Sequence, residues 1–184
     1  MIVVWATVTT AETVLFGLHV HYRQAYLADA YDEFPTVERR PDNPEHPVGI
    51  VRVAVEEGKA HLITGLHTGP VGFSVTVADE DPGADTDGYE DIVEISFLAQ
   101  SESLRIAEWS GEGDHLLPEL PSGPGWYRLR YHAVNMDEGA NVNSLATGDA
   151  VVDRYLLQIW PQPESPSRVV KSTSHQLAYW CGVD

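Results

Sequence analysis

The chain has a single cysteine, Cys181, among its 184 residues. No disulfide can form within it, and that usage fits a reducing compartment such as the cytoplasm. Basic side chains are also scarce: 11 Lys and Arg stand against 28 Asp and Glu, for a formal net charge of −17. Affinity for phosphate backbones comes mainly from Lys and Arg, so nucleic acid is excluded as a partner, and an anionic membrane is repelled on the same ground. No stretch approaches the ~20 apolar residues of a membrane span. Residues 1–17 lack a basic n-region and do not read as a signal peptide. There is no Gly-x-Ser-x-Gly elbow and no glycine-rich phosphate loop ahead of a helix, so nucleophilic catalysis and nucleotide binding have no signature.

What is present is strand. Hydrophobic content of 43% and charged content of 21% are ordinary for a globular protein. The length suits one domain over residues 1–184, long enough to remove roughly 70% of its unfolded surface on folding. Alternating and β-branched runs predict strands over residues 2–9, 15–22, 24–28, 50–55 and 60–66, the last two joined by a Glu56-Glu57-Gly58 turn. Further strands are predicted over 71–77, 92–98, 104–109, 126–134 and 155–160, with a short edge strand at 169–171. Pro35, Pro41, Pro44 and Pro47 exclude a helix over 34–48, and the best helical segment is 145–155. Short strands separated by Gly, Pro and Asp turns indicate a mainly-β fold, an antiparallel two-sheet sandwich. Three long loops punctuate it, at 29–48, 79–91 and 135–149.

The negative charge is not spread evenly. Residues 79–119 hold thirteen acidic side chains and one basic one. A concentrated acidic surface attracts basic protein or cations. The candidate contact residues are Asp79, Glu80, Asp81, Asp85 and Asp87, then Glu90, Asp91, Glu112 and Asp114, with Tyr89 or Trp109 as an apolar anchor. Such a surface can imitate a phosphate array and occlude the basic cleft of a nuclease or toxin. The alternative is that the charge serves solubility alone.

Other chemistries have weaker signals. With Gly83 as loop position one, Asp85, Asp87, Gly88 and Glu94 fall third, fifth, sixth and twelfth, part of a calcium-loop pattern. The flanks read as strands rather than helices, and no cofactor is expected. Among the eight histidines, His19 and His21 share one strand face, but zinc needs three or four convergent ligands. Trp109, Trp126, Trp160 and Trp180 lie on or near strands and serve either a sugar-stacking face or the core. Acid pairs such as Glu56/Glu57 and Glu90/Asp91 leave a small hydrolase as a further alternative. Arg128 and Arg130 share one strand face and are available to pair with the acidic segment.

Residues 21–27 (HYRQAYL), 120–129 (LPSGPGWYRL) and 155–160 (YLLQIW) carry a resemblance. They are similar, in order, to the early Tyr-His-Gln-Phe strand, the Leu-Pro-x-Gly-x-Tyr-x-Leu segment and the closing Tyr-x-Ile strand of the competence-nuclease inhibitor (ComJ-like) proteins. A broader set of actinobacterial proteins shares this layout. The resemblance implies a non-enzymatic inhibitor of a DNA-degrading nuclease. This chain is longer, with 29–48 and 135–149 as the extra stretches, and no binding residues are carried over. The expectation is therefore a non-catalytic acidic protein that occludes a basic partner, with a calcium- or carbohydrate-binding sandwich as the alternative.

Overall fold

A computed structural model describes residues 10–32, 48–54, 58–109 and 113–183. The strand expected over 2–9, the turn at Glu56-Glu57 and most of the 29–48 loop lie outside these residues. The described chain forms two sheets. In chain order the strands are β1 (Ala11–Val20), β2 (Gln24–Asp29), β3 (Val51–Ala54), β4 (Lys59–Ile63), β5 (Gly69–Ala78) and β6 (Asp91–Ala99). They continue as β7 (Leu104–Glu108), β8 (Asp114–Leu116), β9 (Gly125–Val134), β10 (Arg154–Pro161) and β11 (Arg168–Lys171).

The larger sheet has the order β1-β5-β10-β9-β6-β11 and the smaller β3-β4-β2-β7-β8. The mainly-β sandwich expected from the alternation is what forms. One pairing departs from an all-antiparallel arrangement, because β10 runs parallel to β5 with Leu157 opposite Val75. The chain must therefore cross over between them rather than turn back directly.

The core lies between the sheets. Leu27, Leu62 and Ile106 from the smaller sheet meet Val75, Phe97, Leu129 and Leu157 from the larger. The period-2 alternation of β9 sends Tyr127, Leu129, Tyr131 and Ala133 to this core. Its other face carries Arg128, Arg130 and His132, and these are buried as well. A strand buried on both faces with cations on one of them needs a polar cover.

Helix occurs where the sequence pattern did not place it. Residues 145–153 are irregular, and the helices are α1 (Met136–Val142) and α2 (His175–Trp180). The 145–155 segment spends its backbone elsewhere: Leu145 N–H donates to Thr68 O at 2.9 Å, and Ser144 bridges Thr68. The α1 sequence has a glycine and no N-cap side-chain bond, so its propensity is poor. Tertiary contacts hold it instead: Met136 is buried, and its entry residue Asn135 donates its backbone N–H to Glu90 Oε2 and its side-chain amide to Val152 O. Close approach explains two glycines. A Cβ on Gly65 would sit 2.2 Å from Met136 O, and one on Gly139 would sit 2.6 Å from an Asp153 carboxylate oxygen. The α2 helix has a conventional start, with Ser174 Oγ accepting from Leu177 N–H at 3.0 Å and Leu177 in the core. Among the described residues no helix is long and apolar enough to cross a membrane.

Candidate functional site

The larger sheet carries a polar row on the face away from the core. One residue from each of its six strands takes part: Arg168, Glu94, Arg130, Gln158, Thr76 and Thr13, each paired in register with the next. Cross-strand neighbours of this kind sit close enough to bond. Glu94 is the hub and only 2% exposed. Its Oε1 receives Arg130 Nε at 2.7 Å and its Oε2 receives Arg128 Nε at 3.2 Å and Arg168 Nε at 2.8 Å. Gln158 Oε1 accepts from Arg130 Nη1 at 3.0 Å, and the Thr13 and Thr76 hydroxyls bond at 2.8 Å. Arg130 also lies over the Trp160 ring, 4.6 Å from its centroid.

Burial pushes the Glu94 carboxyl up, but hydrogen bonds and charge from Arg168 and Arg130 outweigh it and the net direction is down. Arg130 is likewise disfavoured by burial, yet Asp81 and Glu94 raise it overall. For Arg128 burial wins and the direction is down despite Glu94. The cluster is therefore ionised throughout, with each buried charge paired.

The cover is the β5–β6 connection, residues 79–90, which lies as a strap across this row. Asp81 grips Arg130 with both oxygens, at 2.8 and 3.0 Å. That hydrogen bond is the main reason its carboxyl is held below the usual range. Gln158 donates to Gly83 O at 3.0 Å. Lys171 Nζ donates to Thr86 O and Tyr89 O at 2.7 and 2.6 Å. His132 Nε2 accepts from Asp85 N–H at 3.2 Å, which fixes the neutral tautomer with Nδ1–H directed at Leu156 O, also 3.2 Å away. Burial, with Arg130 nearby, lowers the His132 pKa to about 4. Asx-type bonds tighten the tip, from Gly83 N–H to Asp81 and from Gly88 N–H to Asp85.

The strap therefore uses the sheet's cations to hold itself down and leaves Asp79, Glu80, Asp81, Asp85 and Asp87 exposed. The acidic segment does not stay together beyond it. Asp91 is buried and accepts from Thr173 and Ser174 N–H at 2.8 and 3.0 Å, fixing the entry to α2. Glu90 is half-buried and spent on Asn135 N–H. Both were expected on the contact surface, and both serve the fold instead. Asp114 sits on β8, at the edge of the smaller sheet, paired with Arg105. Glu112 lies outside the described residues. Tyr89 is half-buried with its ring 5.1 Å from His132. Trp109 is exposed but belongs to another neighbourhood, with His21 and Tyr22 at 5.0 and 5.1 Å between centroids.

Glu94, the twelfth position of the calcium-loop pattern, is engaged otherwise. Glu94 would have to turn both oxygens to a metal, and both are held by arginines. Among the described residues no group of three or more His, Cys, Asp or Glu is placed to hold a metal ion. The sugar-stacking reading loses Trp160, which is buried.

No family model matches the chain, and no curated protein matches it. Among solved structures the chain is similar to the crystal structure of ComJ, inhibitor of the DNA degrading activity of NucA, from Bacillus subtilis. The TM-score is 0.57 at 15% identity, covering 85% of this chain and 100% of that one. A second structure, described as Crocagin biosynthetic gene J, aligns with a TM-score of 0.46 at 14% identity over 85% of this chain and 99% of that one. At such identity the likeness to ComJ is one of fold.

Proposed function

We propose that this protein is a non-catalytic inhibitor that docks its acidic strap on a basic protein, of the nuclease type, in the cytoplasm. One observation carries the reading. Two cations of the larger sheet hold residues 79–90 down, Arg130 on Asp81 and Lys171 on the strap carbonyls. Asp79, Glu80, Asp85 and Asp87 are left exposed on a loop fixed by hydrogen bonds at several points. A preorganised array of carboxylates loses little entropy on docking, and it steers a basic partner into place. The fold shared with a nuclease inhibitor supports the same reading. Tyr89, at the strap's end, is the apolar contact within this surface. Trp109 packs at the β1–β2 turn, away from the strap.

A pull-down with the tagged full chain from native lysate, at low and at high salt, tests this. The expected catch is a basic, nuclease-like protein that is lost at high salt, since screening shortens the reach of exposed charges to about 8 Å near physiological ionic strength. Recovery of no basic partner at either salt contradicts the proposal.

A further inference from the structure

A second part of the surface, next to α2, holds a cleft of different character. It opens between the β1–β2 turn and α2, has a volume of about 360 Å³, and is lined by Tyr22, Arg23, His67, Gln176, Tyr179 and Trp180. A smaller space of about 10 Å³ beside Arg52 and His61 shares Tyr22, Arg23 and Trp180 with its lining. Room of that size holds about one water.

Two buried N–H donors on these shared residues have no acceptor among the described residues: Arg23 Nη1 and Trp180 Nε1. Buried donors are seldom left unmade in folded proteins, and a charged one least of all. Among the described residues Arg23 forms no ion pair. Other nitrogen-bearing side chains lie close by. Arg52 lies over the Trp180 ring at 5.6 Å from its centroid. His67 is held below its ordinary pKa by burial, then by Arg23 and His21. The carboxylate of Asp137, beside Gln176, is taken up by the His175 and Gln176 backbone N–H groups at 3.0 and 2.9 Å.

The backbone at the mouth is unusual in the same place. Tyr22 and Arg23 have φ of 54° and 63°, two consecutive non-glycine residues in the left-handed region. They are the central pair of a tight turn closed by Gln24 N–H on His21 O at 3.2 Å. Turns of this shape take Asn-Gly by preference, because L side chains are strained there. Strain of this kind collects where particular side chains are needed in a fixed position. Here it holds a tyrosine and an arginine at the cleft.

We propose that this cleft binds a small organic anion. Its carboxylate or phosphate oxygen is received by Arg23 Nη1 and Trp180 Nε1, and its planar body lies against Tyr22 and Tyr179. The volume falls at the lower end of the ~300–1,000 Å³ usual for small-molecule sites, which suits a single-ring acid. The inference stands apart from the strap and its partner.

The test is an NMR titration of the full, ¹⁵N-labelled chain, following the Trp180 indole N–H. The probes are benzoate, phenyl phosphate, inorganic phosphate and neutral benzamide. Benzoate and phenyl phosphate should shift the signal saturably, and benzamide should not. Arg23→Gly should weaken both by about tenfold or more, the loss of one good charged contact. Glycine adopts the φ of position 23 without strain, so this variant keeps the fold. Trp180→Phe, which keeps a ring and removes the donor, should weaken both anions as well. Absence of a saturable shift with any anion would mean that water alone satisfies the donors, and would overturn the proposal. So would equal affinity in Arg23→Gly. Inorganic phosphate binding as tightly as phenyl phosphate would reduce the site to an adventitious ion only and overturn it too.

Discussion

Glu94 on β6 faces Arg130 on β9 across a direct strand pairing, Oε1 to Nε at 2.7 Å, and both side chains are all but sealed from solvent. Arg128 adds a second buried cation to the same carboxylate, while Arg168, 61% exposed, adds a third from the sheet edge. A buried pair of this kind contributes little net energy against an apolar replacement, but breaking it leaves an uncompensated charge inside.

Glu94→Gln should therefore destabilise the fold by about 3–5 kcal/mol, because buried Arg128 loses its carboxylate partner and Arg130 is left with Asp81 alone. Arg168→Ala should cost less than about 1 kcal/mol, because its charge is largely in water. Chemical denaturation of the two variants checks the contrast. Equal losses would mean that the edge arginine carries the cluster.

His132 couples the strap to pH. Its folded pKa of about 4 lies below the ordinary value of 6.5, so the unfolded chain takes up the proton first as pH falls. The stability contribution is complete above pH 6.5 and is lost as pH drops through the window to about 4. The loss reaches about 3 kcal/mol at most. Protonation also removes the Nε2 lone pair that receives Asp85 N–H. An NMR titration of the ring should give an apparent pKa near 4, with the Asp85 amide shifting in step. A midpoint near 6.5 would contradict the buried, neutral assignment.

Gly139→Ala should lower stability by about 1–3 kcal/mol without changing the strap. The added methyl would meet Asp153 and the Leu66 N–H at 2.6 and 2.8 Å, contacts made of a buried carboxylate and backbone. The check is the midpoint of thermal unfolding. A neutral result would show that α1 shifts freely against the 65–66 segment.

The sheets were legible because strand alternation is a short-range signal that burial reinforces. In β9, Tyr127, Leu129 and Tyr131 alternate with Arg128 and Arg130, and both halves of that pattern have a structural meaning. That the two arginines share a face was readable, and so was their pairing with acidic residues. That Glu94 would be the hub was not, because its role depends on β11 and β9 flanking β6. Spacing alone placed Glu94 in a calcium loop. Asp91 has the same history: a charge count puts it on the surface, while the return of residues 173–174 turns it into a buried acceptor. The helix expected over 145–155 failed because Leu145 bonds Thr68, residues 146–149 close a turn on themselves and Arg154 and Tyr155 enter β10. The true α1 is held by Glu90, Val152 and its buried Met136. The Tyr22–Arg23 turn carries none of the Asn-Gly chemistry by which such turns are recognised, so it shows only in the folded backbone. The resemblance to nuclease inhibitors, carried by short segments such as 155–160, agrees with a shared fold over most of the chain.

The central claim is that the exposed carboxylates of the strap steer and hold a basic partner. The most direct measurement is the association rate of the captured partner with the native chain and with Asp79→Asn/Glu80→Gln/Asp85→Asn/Asp87→Asn, across a salt series. Asp81 is left in place so that the strap stays anchored on Arg130. We predict that the native rate falls steeply with salt, and that the neutralised chain associates at least about tenfold more slowly at low salt with a flatter dependence. Equal rates and equal salt slopes for the two chains would contradict the claim and leave the acidic strap a device for solubility.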